Sequence, residues 1–86
     1  MTVTGQAGKA IYVTHLATSY TDANSVIQLV KLFDGSTEIY RTGTLTGVAL
    51  NFANPVKITH GANCVATTSV SVNTVSGHIS LGYYIE

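Results

Sequence analysis

Three histidines and one cysteine are the side chains of this sequence best suited to hold a metal ion. His60 and Cys64 lie four residues apart across a predicted turn, whereas His15 and His78 are distant in the chain. Zinc needs three or four ligands that converge at about 2 Å, so the fold would have to bring both distant histidines to that turn. The spacing requires no such convergence. We therefore predict no metal site and no cofactor, and we interpret Cys64 as a small buried side chain.

The acidic residues offer little for hydrolytic catalysis. A serine nucleophile needs a histidine and an aspartate to orient it, but Asp22 and Asp34 lie in segments where aspartate commonly forms turns. Glu38 and Glu86 are the only glutamates, which is a thin supply for the paired carboxylates of glycoside hydrolysis. We predict that the protein is not an enzyme and has no catalytic residues.

The glycine-containing segment Gly5-Gln-Ala-Gly-Lys9 does not fit a phosphate-binding loop. It is two residues short, Ala10 stands where the motif has Ser or Thr, and a strand is predicted where the motif continues as a helix. We predict instead that residues 1–8 form a flexible N-terminal arm that ends in a turn. Residues 9–86 are then a single domain.

Five tyrosines could stack on sugar rings or contact another subunit. Tyr20 and Tyr40 are the candidates for sugar stacking. The chain has no Trp, whose broad face is the most useful stacking surface, and this favours the second use. Tyr12 and Tyr84 are the aromatic candidates for a subunit or capsid interface, where a ring with one polar group is useful. We expect these four rings to be exposed and Tyr83 to lie on an apolar strand face.

The composition excludes several classes of partner. Charged residues are 9% of the 86 residues, and four Lys and Arg balance four Asp and Glu. No strongly basic face is available for nucleic acid or an acidic membrane. Polar residues interrupt every apolar run before the roughly 18 residues of a spanning helix. The N-terminal residues have neither the basic nor the apolar region of a secretory signal.

The small size of the chain favours self-association. One cysteine cannot form an internal disulfide, and a domain of this length buries only about 60% of its unfolded surface. A net charge of zero removes the repulsion that would oppose assembly. We expect a homo-oligomer.

Thirteen Thr, seven Ser and ten Val favour strands and turns over helices. Residues 75–86 alternate apolar and polar side chains over their whole length, which indicates a strand with one buried face. We also predict a strand at residues 64–72 and a tight connection at Asn73-Thr74. About seven or eight strands, with turns every 8 to 12 residues or so, predict an all-β fold, a small antiparallel β-sandwich or jelly-roll-like barrel.

Residues 10–20 alternate imperfectly, so a β-bulge is possible there. A regular strand would place four side chains on one face and four on the other. The first set is Ile11, Val13, His15 and Ala17, and the second is Tyr12, Thr14, Leu16 and Thr18.

Residues 26–33 are apolar on both faces and lead into a predicted Asp34-Gly-Ser36 hairpin turn. A short helix is the alternative for such a run, but the β-branched residues and the turn favour a strand. A two-layer sandwich covers only one face of each sheet. We therefore predict that Val26, Val30 and Leu32 face another subunit or a capsid surface.

Four segments of the chain resemble the small all-β virion proteins of tailed bacteriophages. That group contains capsid decoration (cement) proteins, head-fibre pieces and short tail appendage domains. The four segments are Val3-Thr-Gly-Gln-Ala-Gly-Lys-Ala-Ile-Tyr-Val-Thr14, the hairpin around Asp34-Gly-Ser36, Leu50-Asn-Phe-Ala-Asn-Pro55 and Ser76-Gly-His-Ile-Ser-Leu-Gly-Tyr-Tyr84.

The resemblance implies a β-sandwich that assembles, often as a trimer, and attaches to the major capsid protein or another virion protein. Such a protein is made in the host cytoplasm and ends on the capsid surface of the virion, which it stabilises. The alternative is a receptor-binding or carbohydrate-binding adhesion module of a phage fibre or tail.

Overall fold

The computed structural model describes residues 1–22, 24, 26–69 and 75–86. Within them the chain forms seven strands in two antiparallel sheets and no helix, which confirms the all-β prediction. The strands are β1 (Thr2–Val3), β2 (Ile11–Tyr20), β3 (Gln28–Asp34), β4 (Thr37–Thr44), β5 (Gly47–Lys57), β6 (Cys64–Thr68) and β7 (Gly77–Ile85). The four-stranded sheet has the order β1-β6-β3-β4, and the three-stranded sheet has the order β5-β2-β7.

The inner faces of the two sheets pack together to form one core. From the three-stranded sheet, Ile11, Val13 and Leu16 of β2 are buried. From the four-stranded sheet, β3 and β6 contribute Val30, Leu32, Cys64 and Ala66. Because no ladder joins the two sheets among the described strands, the architecture is a sandwich and not a closed barrel. No helix in the described part of the chain is long and apolar enough to cross a membrane.

The bulge that was possible in β2 is present at Thr14. Val13 lies opposite Tyr83 of β7 and His15 lies opposite Gly82, so Thr14 is an extra residue on β2. On the other side of β2, residues 52–55 of β5 interrupt the ladder at the same point.

The bulge corrects the predicted faces of β2. An extra residue reverses the alternation of side chains beyond it. Leu16 and Thr18 are therefore buried on the same side as Ile11 and Val13. His15 and Ala17, predicted to share that side, leave it.

The structure corrects the assignment of Val30 and Leu32 to an interface. Both side chains are 0% exposed in the single subunit, because this face of β3 packs on β2 inside the core. Leu29 and Phe33 alternate with them and lie on the outer face. The predicted hairpin that follows is confirmed, with Gly35 at a φ of 62° between β3 and β4.

The predicted flexible arm is instead part of the four-stranded sheet. β1 pairs with the start of β6, Val3 is buried, and the N-terminal ammonium group donates a hydrogen bond of 2.8 Å to the carbonyl of Ala66. A Cβ on Gly5 would meet the backbone of Gly61 at 2.2 Å, so only glycine allows the chain to pass there. The first residues therefore belong to the domain.

The predicted alternation of the last strand is confirmed in β7, where Ile79, Leu81 and Ile85 pack against the core. The predicted strand at residues 64–72 is observed as β6, which ends at Thr68. Residues 70–74, including the predicted connection at Asn73-Thr74, lie outside the described residues, as do Ala23 and Ser25 before β3.

Candidate functional site

Four of the exposed large apolar side chains lie at the open end of the β3–β4 hairpin. Val26 is 60% exposed, Ile27 65%, Leu29 37% and Leu45 44%. Gln28 is paired with Thr44 in the last rung of the ladder, so Ile27 and Leu45 follow on either side of it. We call Val26, Ile27, Leu29 and Leu45 the apolar patch.

Glycine brings two members of the apolar patch together. Gly43 lies opposite Leu29 in the ladder, and a Cβ on Gly43 would lie 2.7 Å from Cγ2 of Ile27. The Ile27 side chain therefore lies flat over the backbone of β4, next to Leu29. Ile27 and Leu29 thus lie together on the outer face of the hairpin.

Two buried amide side chains fix the backbone beneath the patch. The backbone N–H and the Nδ2 of Asn24 both donate to the carbonyl of Leu45, each at 3.1 Å. The Nε2 of Gln28 donates to the carbonyl of Val26 at 3.1 Å, and its Oε1 accepts from the hydroxyl of Ser69 at 2.6 Å. These hydrogen bonds satisfy the buried amides and fix the backbone at Val26 and Leu45.

Charged side chains lie beside the patch on the same outer face. Lys31 and Arg41 are opposite each other in the ladder. The guanidinium of Arg41 donates to both carboxylate oxygens of Glu38, at 2.9 and 2.8 Å. These hydrogen bonds lower the pKa of Glu38 below its ordinary value. An apolar centre with a polar rim is the usual anatomy of a protein-binding surface.

Only one of the predicted interface residues lies in the apolar patch. Val26 is there, whereas Tyr12 and Tyr84 lie on the outer face of the other sheet, with their rings stacked at 5.0 Å between centroids and 10° between planes. The sequence analysis missed Ile27, Leu29 and Leu45. Residues 26–33 are apolar on both faces, so the face that includes Ile27 and Leu29 could have indicated these two residues. The position of Leu45 among turn-forming residues could have indicated that it is exposed.

Tyr20 and Tyr40, the predicted sugar-stacking residues, join the two sheets. The hydroxyl of Tyr20 on β2 lies 2.5 Å from the hydroxyl of Thr68 on β6. The ring of Tyr40 on β4 meets the ring of Phe52 on β5 edge to face, at 5.8 Å between centroids. Both tyrosines are partly buried, as is Tyr12, which corrects the expectation of exposed rings for these three. Tyr83 lies on the apolar, core-facing side of β7 as expected, opposite Val13, but is 44% exposed at the edge of its sheet.

The candidate metal ligands do not converge in the part of the chain that the structure describes. Nδ1 of His15 lies 3.1 Å from Oδ1 of Asn51 on the neighbouring strand. Cys64 is 0% exposed and lies opposite Asp34 in the ladder. Burial, together with the negative charge of Asp34, raises the pKa of the Cys64 thiol. Such a thiol is a poor nucleophile at neutral pH.

Comparisons of the chain with protein-family models, with curated proteins and with solved structures found no match.

Proposed function

We propose that the protein is a non-enzymatic virion component of a tailed bacteriophage, a decoration protein that binds and stabilises the outer capsid surface. The observation that supports this most is the apolar patch, which a folded subunit exposes and two buried amides hold in place. The patch is suited to a partner that buries it and unsuited to carrying out a reaction.

The apolar patch supports attachment to another protein on physical grounds. Exposed, contiguous apolar surface on a small domain commonly marks a contact with a partner. Lys31, Arg41 and Glu38 beside it would form the polar rim and set the orientation of the partner. The identification of that partner as the major capsid protein, or another virion protein, comes from the resemblance of the four sequence segments.

In this proposal the protein is made in the host cytoplasm and resides on the capsid surface, with neither nucleic acid nor membrane as a partner. It also binds other copies of itself. The resemblance implies a trimer.

The capsid proposal can be tested by co-sedimentation with capsids that lack this protein. We expect the wild-type protein to pellet with capsids at a fixed stoichiometry. Ile27→Glu should leave the protein in the supernatant, because the charge lies within the apolar patch. Ile39→Glu is the matched control. Ile39 is also an exposed isoleucine, but it lies on β4 near the hairpin turn, outside the patch.

Circular dichroism should first show that both variants fold. Failure of the wild-type protein to pellet with the capsids would refute the proposed function. Equal loss of binding in both variants, or in neither, would refute the assignment of binding to the apolar patch.

A second candidate function, the carbohydrate-binding adhesion module, is favoured by one observation. Tyr84 is 43% exposed and stacks on Tyr12 on the outer face of the three-stranded sheet. An exposed tyrosine ring can stack on a sugar. A glycan array should then show binding by the wild-type protein and none by Tyr84→Ala. Tyr40→Ala should reduce binding only in proportion to the fraction of the variant that is unfolded. Silence of the wild-type protein on the array would remove this candidate.

A further inference from the structure

The edges of the two sheets differ in how they are protected from pairing with another chain. At the edges of the four-stranded sheet, β1 has only two residues, and β4 carries the Glu38–Arg41 ion pair and a bulge at Ile39. At one edge of the three-stranded sheet, β5 contains Pro55 and the interruption at residues 52–55. Short length, charge, proline and bulges are the features by which natural proteins block edge pairing.

β7 is the exception among the described edge strands. It runs for nine residues without a proline, a charged side chain or a bulge of its own. It pairs with β2 along one side, and no other described strand lies along its second side. Tyr83 of this strand is 44% exposed.

The hydrogen bonds of the β2–β7 ladder show which backbone groups of β7 face outward. Glu86 exchanges two hydrogen bonds with Ala10, each of 3.0 Å, and the carbonyl of Ser76 accepts from the N–H of Thr21. In an antiparallel ladder the backbone groups of a strand point to alternate sides along its length. The backbone N–H and C=O groups of the even-numbered residues of β7 therefore point to β2. Those of Ile79, Leu81 and Tyr83 point to the free edge.

We propose that β7 pairs antiparallel with β7 of a second copy of this chain, about a two-fold axis at Leu81. The outward groups then form hydrogen-bonded pairs, Leu81 with the partner subunit's Leu81, and Ile79 with the partner subunit's Tyr83. This arrangement joins two three-stranded sheets into one sheet of six strands.

The side chains of β7 suit this pairing. Ile79, Leu81 and Tyr83 share the core-facing side of the sheet, because they lie opposite Thr18, Leu16 and Val13. The pairing places Tyr83 beside the partner subunit's Ile79, and an aromatic ring beside a β-branched side chain is a favourable cross-strand pair. The half of Tyr83 that the single subunit leaves exposed is thereby covered.

The two-fold pairing replaces the trimer that the resemblance implies. It deepens the self-association part of the proposed function and stands without the capsid part. The apolar patch lies on the other sheet, so a dimer formed through β7 keeps both patches available.

The experiment is a concentration series of the full chain by analytical ultracentrifugation. We expect a monomer–dimer equilibrium in the wild-type protein. Tyr83→Lys should raise the dimer dissociation constant by about tenfold or more, since a charge on an edge strand blocks pairing and each dimer loses two Tyr83 contacts. Leu45→Lys is the matched control, because Leu45 is equally exposed, at 44%, but belongs to the apolar patch. It should leave the dissociation constant unchanged.

A backbone variant tests the hydrogen bonds themselves. Tyr83→Pro removes an N–H that faces the free edge and leaves the bonds to β2 intact, a position where an edge strand tolerates proline. It should also dissociate the dimer. Hydrogen exchange of the wild-type protein should show the amides of Ile79, Leu81 and Tyr83 losing protection on dilution, while those of Ser80 and Gly82 keep it.

A monomer at all concentrations, a trimer, or a dimer that Leu45→Lys disrupts and Tyr83→Lys does not would each overturn the β7 pairing. None of these outcomes decides whether the protein binds capsids, which the co-sedimentation measures separately. Conversely, a β7 dimer that does not bind capsids would support this inference and refute the proposed function.

Discussion

At the scale of single residues, β3 contains two leucines that differ in the face they occupy. Leu32 is 0% exposed in the core and Leu29 is 37% exposed on the outer face. We expect Leu32→Ala to lower the free energy of unfolding by about 2–5 kcal/mol, through lost burial and a cavity. Leu29→Ala should lower it by less than about 1 kcal/mol. Urea unfolding of the two variants measures the difference, and equal losses would contradict the assignment of the faces.

Cys64 gives a second prediction at this scale. Its thiol is buried beside Asp34, and both effects raise its pKa above the ordinary 9.0. At pH 8, Ellman's reagent should therefore react with the native protein only as fast as unfolding exposes the thiol. It should react at once with protein unfolded in urea. The thiol of the unfolded chain loses its proton at a lower pH than the thiol of the folded chain. The free energy of unfolding should therefore fall as the pH rises past the ordinary pKa of Cys64. Rapid labelling of the native protein would contradict this burial.

At the scale of elements, the bulge at Thr14 sets which side chains of β2 enter the core. Deleting Thr14 would give regular alternation, with Val13 and Leu16 still facing inward, because Val13 and His15 would become consecutive opposite the consecutive Tyr83 and Gly82. Deleting Ala17 would instead turn the rest of β2 over, and Tyr20 would lose its link to Thr68.

We therefore expect the Ala17 deletion to be less stable than the Thr14 deletion. The difference should be at least about 1 kcal/mol, or roughly 4–8 °C in Tm for a chain of this size. Thermal unfolding followed by circular dichroism is the measurement. A Thr14 deletion that fails to fold while the Ala17 deletion folds would show that the bulge has another role.

The elements also show how far the sequence could predict the structure. β7 has no bulge of its own, so its alternation alone identified the inner face. In β2 a single extra residue reversed the alternation, and no local pattern located it. Residues 26–33 are apolar on both faces, so only the packing of β3 on β2 could distinguish Leu32 from Leu29. The apolar patch was partly predictable through Val26, but the turn that brings Leu45 beside it depends on the buried Asn24.

At the scale of the whole molecule, the sandwich offers two separate surfaces, the apolar patch on one sheet and the β7 edge on the other. In the proposed function the apolar patch would bind the capsid, and in the proposed pairing the β7 edge would bind a second copy. The net charge of zero and the uncharged β7 mean that the two copies neither repel nor attract each other strongly through charge. Self-association should then depend on hydrogen bonds and apolar contacts.

This view gives a prediction for thermal stability. Because dimerisation stabilises the folded chain by mass action, Tm should rise with protein concentration, each tenfold increase contributing about 1.4 kcal/mol per dimer. At a given concentration, dimerisation should raise the Tm of Tyr83→Lys less than that of the wild-type protein, because the dissociation constant of the variant dimer is about tenfold higher or more. Raising the salt from about 0.05 to 0.5 M should leave the dimer unchanged, since salt screens charges and leaves apolar contacts and strand pairing intact. A dimer that salt dissociates would instead place the contact at Lys31 and Arg41 on the opposite sheet.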